Sequence, residues 1–167
     1  MFTRNFYMGL SAQMMGAANG FSFQTKDVIG NTYTASNYIT NGAQWGAAAL
    51  KPVTYGKGKN PSSSPGTFFG SGDTPPTLDD FQMAGEHMTK AQFTVASSIS
   101  EDRTLVTMTY TIVNTDTSPF TIREVGMYNN VGGNYGLIYR TVLDSPVTIE
   151  AGGVGQVSVN VRVNIPE

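Results

Sequence analysis

The clearest pattern in the chain is a strict alternation of aliphatic and polar residues near its C-terminus. The aliphatic positions are Val157, Val159, Val161, Val163 and Ile165, and the polar positions are Gln156, Ser158, Asn160, Arg162 and Asn164. Successive side chains of a β-strand point to opposite faces of a sheet, so the pattern predicts a strand with one apolar and one polar face. At ~3.3 Å per residue this strand is roughly 30 Å long. It is typical of a sheet that covers a core on one side and faces water on the other.

Short β-rich runs separated by turn residues continue this pattern through the second half of the chain. Strands are predicted over residues 93–100, 106–112, 120–128, 135–142 and 146–150, with reversals at 101–102, 114–119, 129–134 and 152–153. A further hairpin is predicted over residues 21–38, around a Gly30-Asn31 turn. Short strands that hairpins can connect are typical of antiparallel sandwiches. The sequence therefore predicts an all-β fold, an antiparallel β-sandwich or jelly roll, as a single domain over residues 1–167.

Three segments depart from the β pattern. Residues 1–19 carry an apolar residue at every fourth position, at Phe2, Phe6, Leu10 and Met14, which predicts a short N-terminal helix or packing arm. Residues 41–76 are rich in Gly, Ser and Pro and predict a long loop or insertion that is either mobile or ordered only against a partner. Thr77, with Asp80 three residues later, resembles a capping box and predicts one helical turn over residues 78–84.

The charge of the chain excludes some classes of partner. Its net charge is -2 and its pI is about 5.3, so it has no basic field to attract nucleic acid. Charged residues make up 13% of the chain, about half the usual quarter. No apolar stretch reaches the length of a signal peptide or a membrane-spanning helix, so a soluble chain with no membrane partner is expected.

Few residues are suited to catalysis or to metal binding. The chain has no Cys and a single His, His87, so a zinc site would need an unusual set of carboxylates. The adjacent acidic pairs at 79–80 and 101–102 are expected to diverge from each other and not to face across a cleft. We therefore predict no catalytic residues, no metal and no cofactor, and interpret His87 as a surface or capping residue.

Glu124 and Arg140 are charged residues inside otherwise apolar β runs. A charge that points inward from a strand needs a partner, and a hairpin at residues 129–134 would bring these two within reach of each other. We predict a structural ion pair between them.

The second half of the chain resembles a family of structural proteins from tailed bacteriophages. The resemblance runs from about Phe68 to Pro166 and rests on three pieces: FFGSGDTPPTLDDFQM, TIREVGMYNN, and GLIYRTVLDSPVTIEAGG before the final alternating strand. The matching positions are Gly70, Gly72, Pro75 or Pro76, Asp79 or Asp80, Glu124, Val125, Gly126, Met127, Tyr128, Leu137, Arg140, Pro146 and Val147. The resemblance implies a virion protein of the tail, neck, baseplate or fibre attachment, assembled in the host cytoplasm. A capsid decoration protein is the nearest alternative.

The same β runs carry apolar residues on both faces, which predicts a second surface that covers them. We expect this surface to be supplied by copies of the chain or by other virion proteins, and therefore predict a homo-oligomer. The candidate interface residues are Phe2, Phe6, Trp45, Phe68, Phe69, Met127, Tyr128 and Ile138. A rival hypothesis is a carbohydrate-binding module that stacks sugars on Trp45, Tyr55, Phe68 or Phe69. A weaker rival is a virion glycan hydrolase, which the lack of a separable acid pair opposes.

Overall fold

A computed structural model describes residues 1–7, 22–27, 29–36, 66–101, 104–131 and 134–162. Eight strands occupy most of these ranges. They are β1 (Ser22–Lys26), β2 (Thr32–Ser36), β3 (Gly66–Gly70), β4 (Ala91–Ile99), β5 (Leu105–Asn114), β6 (Phe120–Val131), β7 (Asn134–Ile149) and β8 (Val154–Arg162). A single helical turn at residues 4–7 precedes them.

Two three-stranded antiparallel sheets form the body of the fold, with strand orders β3–β6–β7 and β4–β5–β8. Their facing side chains form one apolar core, to which every strand of both sheets contributes. Across the core, the Phe69 ring packs edge-on against Phe93 and Tyr110, with ring centroids 5.4 and 5.3 Å apart. The prediction of an all-β antiparallel sandwich with a short N-terminal helix is confirmed.

The period of two in the sequence predicts the faces of β5 and β8 correctly. Val157, Val159 and Val161 are buried, whereas the intervening polar residues of β8 are exposed. The predicted positions Val163 and Ile165 lie outside the described residues. On β5, Met108, Tyr110 and Ile112 point into the core in the same way. The hairpin predicted over residues 21–38 is present as the β1–β2 pair.

Three local predictions are wrong. Residues 66–70, predicted as part of a long loop over 41–76, form β3 and pair with β6 from Gly66↔Tyr128 to Gly70↔Glu124; residues 41–65 lie outside the described residues. Residues 78–84 form no helix, although Thr77 and Asp80 do exchange hydrogen bonds within a turn. The two strands predicted over 135–142 and 146–150 are one strand, β7, of 16 residues.

The N-terminal residues pack against their own chain. The Thr3 N–H donates to Ile138 O and the Arg140 N–H donates to Met1 O, both at 3.0 Å, so residues 1–3 extend the sheet beyond β7. The Phe2 ring stacks on Phe6 at 3.9 Å and meets the Tyr139 ring at 5.3 Å. Residues 1–7 of the predicted packing arm are therefore held by backbone and ring contacts with β7 of their own chain, and residues 8–19 lie outside the described residues.

The outer face of the β3–β6–β7 sheet is covered by residues 71–88, here called the covering segment. Met83 of this segment is buried in a second apolar cluster with Phe68, Tyr128 and Leu137 of the sheet. The Tyr128 hydroxyl accepts a hydrogen bond from the Met83 N–H at 2.8 Å. The sheet therefore has apolar residues on both faces because one face meets the other sheet and the other face meets the covering segment.

Candidate functional site

The most distinctive chemical feature of the structure is a buried cluster of charges beneath the covering segment. Glu124 of β6 is 0% exposed and Arg140 of β7 is 2% exposed. Arg140 pairs in register with Gly126, and Glu124 pairs with Val142, so the two charged residues are diagonal neighbours on adjacent strands. Arg140 Nε donates to Glu124 Oε2 at 2.6 Å, so the ion pair that the sequence predicts is present.

Asp80 is a third member of this cluster, which the sequence analysis missed. Arg140 Nη1 donates to Asp80 Oδ2 at 2.7 Å, and Arg140 Nη2 donates to Thr74 O at the same distance. Asp80 also accepts hydrogen bonds from the N–H and the hydroxyl of Thr77, at 3.0 and 2.6 Å. Arg140 therefore ties two points of the covering segment to the sheet.

The Glu124 carboxylate binds three further residues of the covering segment. Its Oε1 atom accepts hydrogen bonds from the N–H groups of Gly72 and Gly85, at 3.1 and 2.7 Å. Its Oε2 atom accepts from the Ala84 N–H at 3.2 Å in addition to Arg140. A buried carboxylate that accepts several hydrogen bonds avoids most of the cost of burial, because each lone pair that leaves water gains a donor in the protein.

The close approach of the backbone around Glu124 accounts for two of the glycines. A Cβ atom at Gly85 would lie 2.2 Å from Gly72 N, and one at Gly72 would lie 2.4 Å from Glu124 Oε1. Real Cβ atoms do not approach other atoms so closely, so only glycine lets both N–H groups reach the carboxylate. The sequence signal for this site is the combination of Gly72, the acidic pair 79–80 and Gly85, followed later by Glu124 and Arg140.

Electrostatics in the cluster favours the charged forms of Asp80 and Arg140. Burial opposes the ionisation of Asp80, but the hydrogen bonds from Thr77 and Arg140 outweigh it and lower the pKa of that carboxyl. Burial also disfavours the Arg140 cation, but Glu124 and Asp80 raise its pKa above the ordinary value. Burial raises the pKa of the nearby Tyr128 hydroxyl above its ordinary value. Asp80 and Arg140 are thus both charged at neutral pH.

The geometry of the cluster suits a structural role and not acid–base catalysis. A general acid or base must come within hydrogen-bond reach of a substrate proton. Here both Glu124 oxygens are occupied by donors of the protein, and the ion pair is sealed from solvent. What the arrangement does is hold the covering segment against the β3–β6–β7 sheet.

The structure places five of the predicted interface residues inside the chain. Phe69, Met127 and Ile138 lie in the core between the sheets, and Phe68 and Tyr128 lie under the covering segment. All five are at most 6% exposed, so their assignment to a subunit interface is wrong. The physical reason is that the covering segment supplies the second surface that their apolar character requires. Phe2 and Phe6 are half-buried against β7, and Trp45 and Tyr55 lie outside the described residues.

The remaining chemistry-bearing positions are dispersed. His87 is half-buried, its backbone bridges Gly70, and its ring meets Phe68 edge-on at 5.8 Å; burial lowers its pKa. Among the described residues, no group of three or more His, Asp or Glu side chains is placed to hold a metal ion. Within the same ranges, no helix has the length and apolar character needed to cross a membrane.

No family model, no curated protein and no solved structure matches this chain.

Proposed function

We propose that this chain is a non-enzymatic structural subunit of a bacteriophage virion, a tail, neck or fibre-adaptor component that assembles through contacts with its neighbours. The support from sequence is the resemblance over residues 68–166. The support from geometry is that the buried charges, which could have indicated catalysis, are occupied in holding the covering segment on the sheet.

The observation that carries the proposal is the convergence of the resembling positions on one structural device. Gly72, Asp80, Glu124 and Arg140 are far apart in sequence and belong to different pieces of the pattern. In the fold they contact one another directly and position the covering segment. A sequence pattern that encodes a framework contact fits a protein whose role is to keep its shape inside an assembly.

The carbohydrate-binding alternative loses two of its four candidate residues. A sugar platform needs an aromatic face open to solvent. Phe68 and Phe69 are 6% and 2% exposed and have aromatic partners inside the protein. This alternative now depends on Trp45 and Tyr55 alone.

The proposal is tested on particles of the phage that encodes the chain. Purified particles are analysed by mass spectrometry for this chain and labelled with a gold-conjugated antibody raised against it. We expect the chain to be present in the particles, with label at one fixed position on the tail or neck. Label spread over the capsid surface would favour the decoration protein instead. Particles that lack the chain while infected cells contain it would overturn the proposal of a virion role.

A further inference from the structure

The two sheets of the sandwich differ in whether other segments of the chain pair with their edge strands. In the β3–β6–β7 sheet, residues 1–3 pair along β7, and the segment around His87 pairs with the end of β3. In the β4–β5–β8 sheet, β4 is an outer strand, and no described residue outside that sheet pairs with it. An unpaired edge presents a row of backbone N–H and C=O groups that can accept another strand.

Strand β4 lacks the features by which proteins protect an open edge. Such edges are commonly interrupted by charged residues, proline or a bulge. The sequence of β4 is AQFTVASSI, with no charge and no proline, and its pairing with β5 runs without a register shift from Ala91 to Ile99. The half from Ala96 to Ile99 is exposed on both faces, and Ile99 is 65% exposed.

The hydrogen bonds at the two ends of β4 show which backbone groups face outward. Ser100 N–H donates to Leu105 O at 2.9 Å, and Thr115 N–H donates to Lys90 O at 3.0 Å. Hydrogen-bonded positions alternate along an antiparallel pair, so residues 92, 94, 96 and 98 bond to β5. Residues 91, 93, 95, 97 and 99 therefore direct their N–H and C=O groups toward the open edge.

We propose that this edge is where a second copy of the chain binds, with β4 pairing antiparallel to β4 of the copy across a two-fold axis at Ala96. In this register, residues 93, 95, 97 and 99 meet residues 99, 97, 95 and 93 of the copy. All of them have outward-facing backbone groups, and their side chains lie on the sheet face that carries the core, where Phe93 is buried and Ile99 is exposed. The β4–β5–β8 sheets of the two copies then form one continuous six-stranded sheet, and the apolar cores of both chains lie on the same side of it.

Three features of the side chains fit this register. Ile99, the most exposed residue of β4, comes opposite the second copy's Phe93, and β-branched and aromatic residues form favourable cross-strand pairs. Ala96 faces its own copy at the axis, where its small and uncharged side chain leaves room for the two strands to approach. Lys90 and Glu101 flank the strand, so at each end Glu101 of one chain comes opposite Ala91 of the other, next to the exposed Lys90, which also pairs with Asp116 at 3.3 Å, and no like charges meet along the strand.

The same comparison makes β8 the less suitable edge. Its core-facing residues Val157, Val159 and Val161 are already buried within the chain. The exposed apolar residue of β8, Val154, lies on the polar face of that strand, whereas an added strand at β4 would cover Ile99 on the face that carries the core. Closed two-fold contacts are also the commonest arrangement among homo-oligomers.

The inference rests on the proposed function in one respect, because both require contacts between subunits, but its test uses the purified chain. The chain has no native Cys, so single cysteines report proximity without background. Ala96→Cys places two thiols at an opposed non-hydrogen-bonded pair, with Cα atoms ~4.5 Å apart, which is within the range of a disulfide. Thr109→Cys is the matched control, because Thr109 is paired with Ala96 but lies on the inner strand β5. Ser158→Cys tests the β8 edge.

We expect the wild-type chain to have twice its 17.9 kDa mass in light scattering, and Ala96→Cys to form a covalent dimer on mild oxidation. The two control cysteines should remain uncrosslinked. Ser97→Lys should weaken the dimer at least tenfold, because it puts a charge on each strand within the interface, whereas Ser158→Lys should not. Circular dichroism of each Lys variant establishes that it is folded.

A wild-type monomer at the highest soluble concentration would overturn the inference, as would crosslinking through Ser158→Cys in place of Ala96→Cys. The two proposals can fail separately. A chain that is absent from particles but dimerises through β4 refutes only the virion role. A virion chain that does not crosslink at Ala96→Cys refutes only the β4 contact.

Discussion

Removal of the Glu124 charge should destabilise the protein strongly. In Glu124→Gln, one carboxylate oxygen becomes an NH₂ group, which cannot accept a hydrogen bond. Whichever way the amide points, two donors lose their acceptor: either the Gly72 and Gly85 N–H groups, or the Ala84 N–H and Arg140 Nε. Each buried donor left unpaired costs about 1 to 3 kcal/mol.

The expected loss can be placed on the scale of the whole fold. Breaking a buried ion pair costs about 3 to 5 kcal/mol, and here Arg140 keeps Asp80 and Thr74 as partners. The total free energy of unfolding of a protein is about 5 to 15 kcal/mol. At about 2 to 4 °C per kcal/mol for a chain of this size, Glu124→Gln should lower the Tm by about 6 to 20 °C.

The assay is a double-mutant cycle read by thermal and urea unfolding. Arg140→Met alone should also destabilise the protein, because it leaves Glu124 buried without its cationic partner. The double variant should recover part of the loss, with a coupling energy of about 0.5 to 3 kcal/mol. Asp79→Asn is the matched control, because Asp79 adjoins Asp80 but pairs with Arg4 at the surface, where both side chains are more than half exposed. A Glu124→Gln variant that melts with the wild type, or a coupling of zero, would refute the structural role of the pair.

Three further predictions concern the contacts around the same sheet. Gly85→Ala should lower the free energy of unfolding by about 1 to 3 kcal/mol in urea titrations, because its Cβ would collide with Gly72, whereas Gly152→Asn, in an open turn, should cost less. The lowered pKa of Asp80 means that its contribution to stability is complete above the unfolded pKa near 3.8 and is lost as the pH falls through the folded pKa. Between pH 5 and 2, at high salt to screen the exposed pairs, Asp80→Asn should therefore lose less Tm than the wild type, and parallel curves would contradict this. Asn5→Ala should destabilise the protein by about 1 to 3 kcal/mol, because the buried Asn5 amide bonds both backbone groups of Lys26 and the carbonyl of Leu137, and an unchanged urea midpoint would show that these bonds contribute nothing.

The parts of the fold that the sequence predicts are those determined by local patterns. The faces of β5 and β8 follow from alternation, and the hairpin of β6 and β7 follows from a turn between two apolar runs. The Glu124–Arg140 pair belongs to this class, because one hairpin brings both residues together. Each of these predictions needs only neighbours in the chain.

The parts that the sequence misses depend on contacts between distant segments. The short strand β3 begins and ends with a glycine and lies in a region of Gly, Ser and Pro. It nevertheless pairs with β6, more than fifty residues later in the chain. Asp80 joins the charge cluster only because the covering segment folds back over the sheet, where Arg140 reaches it. The capping-box pattern at Thr77 and Asp80 predicts a helix. The same hydrogen bonds can also close an isolated turn, and that is what they do here.

The covering segment also changes where neighbouring subunits can bind. Apolar residues on both faces of β6 and β7 indicate that two surfaces must cover them, but a sequence does not state whether the second surface belongs to the same chain. Here Met83 and the backbone at Gly72 and Gly85 supply it, and the cluster of Glu124 and Arg140 holds them there. The described faces of the sheets are either covered by the chain itself or polar, as on β5 and β8. A contact between subunits therefore gains the most binding free energy at the strand edges. Among the described residues nothing outside its own sheet pairs with the uncharged edge of β4, and this edge offers backbone hydrogen bonds that need no large apolar face, which suits a chain with so few charged side chains.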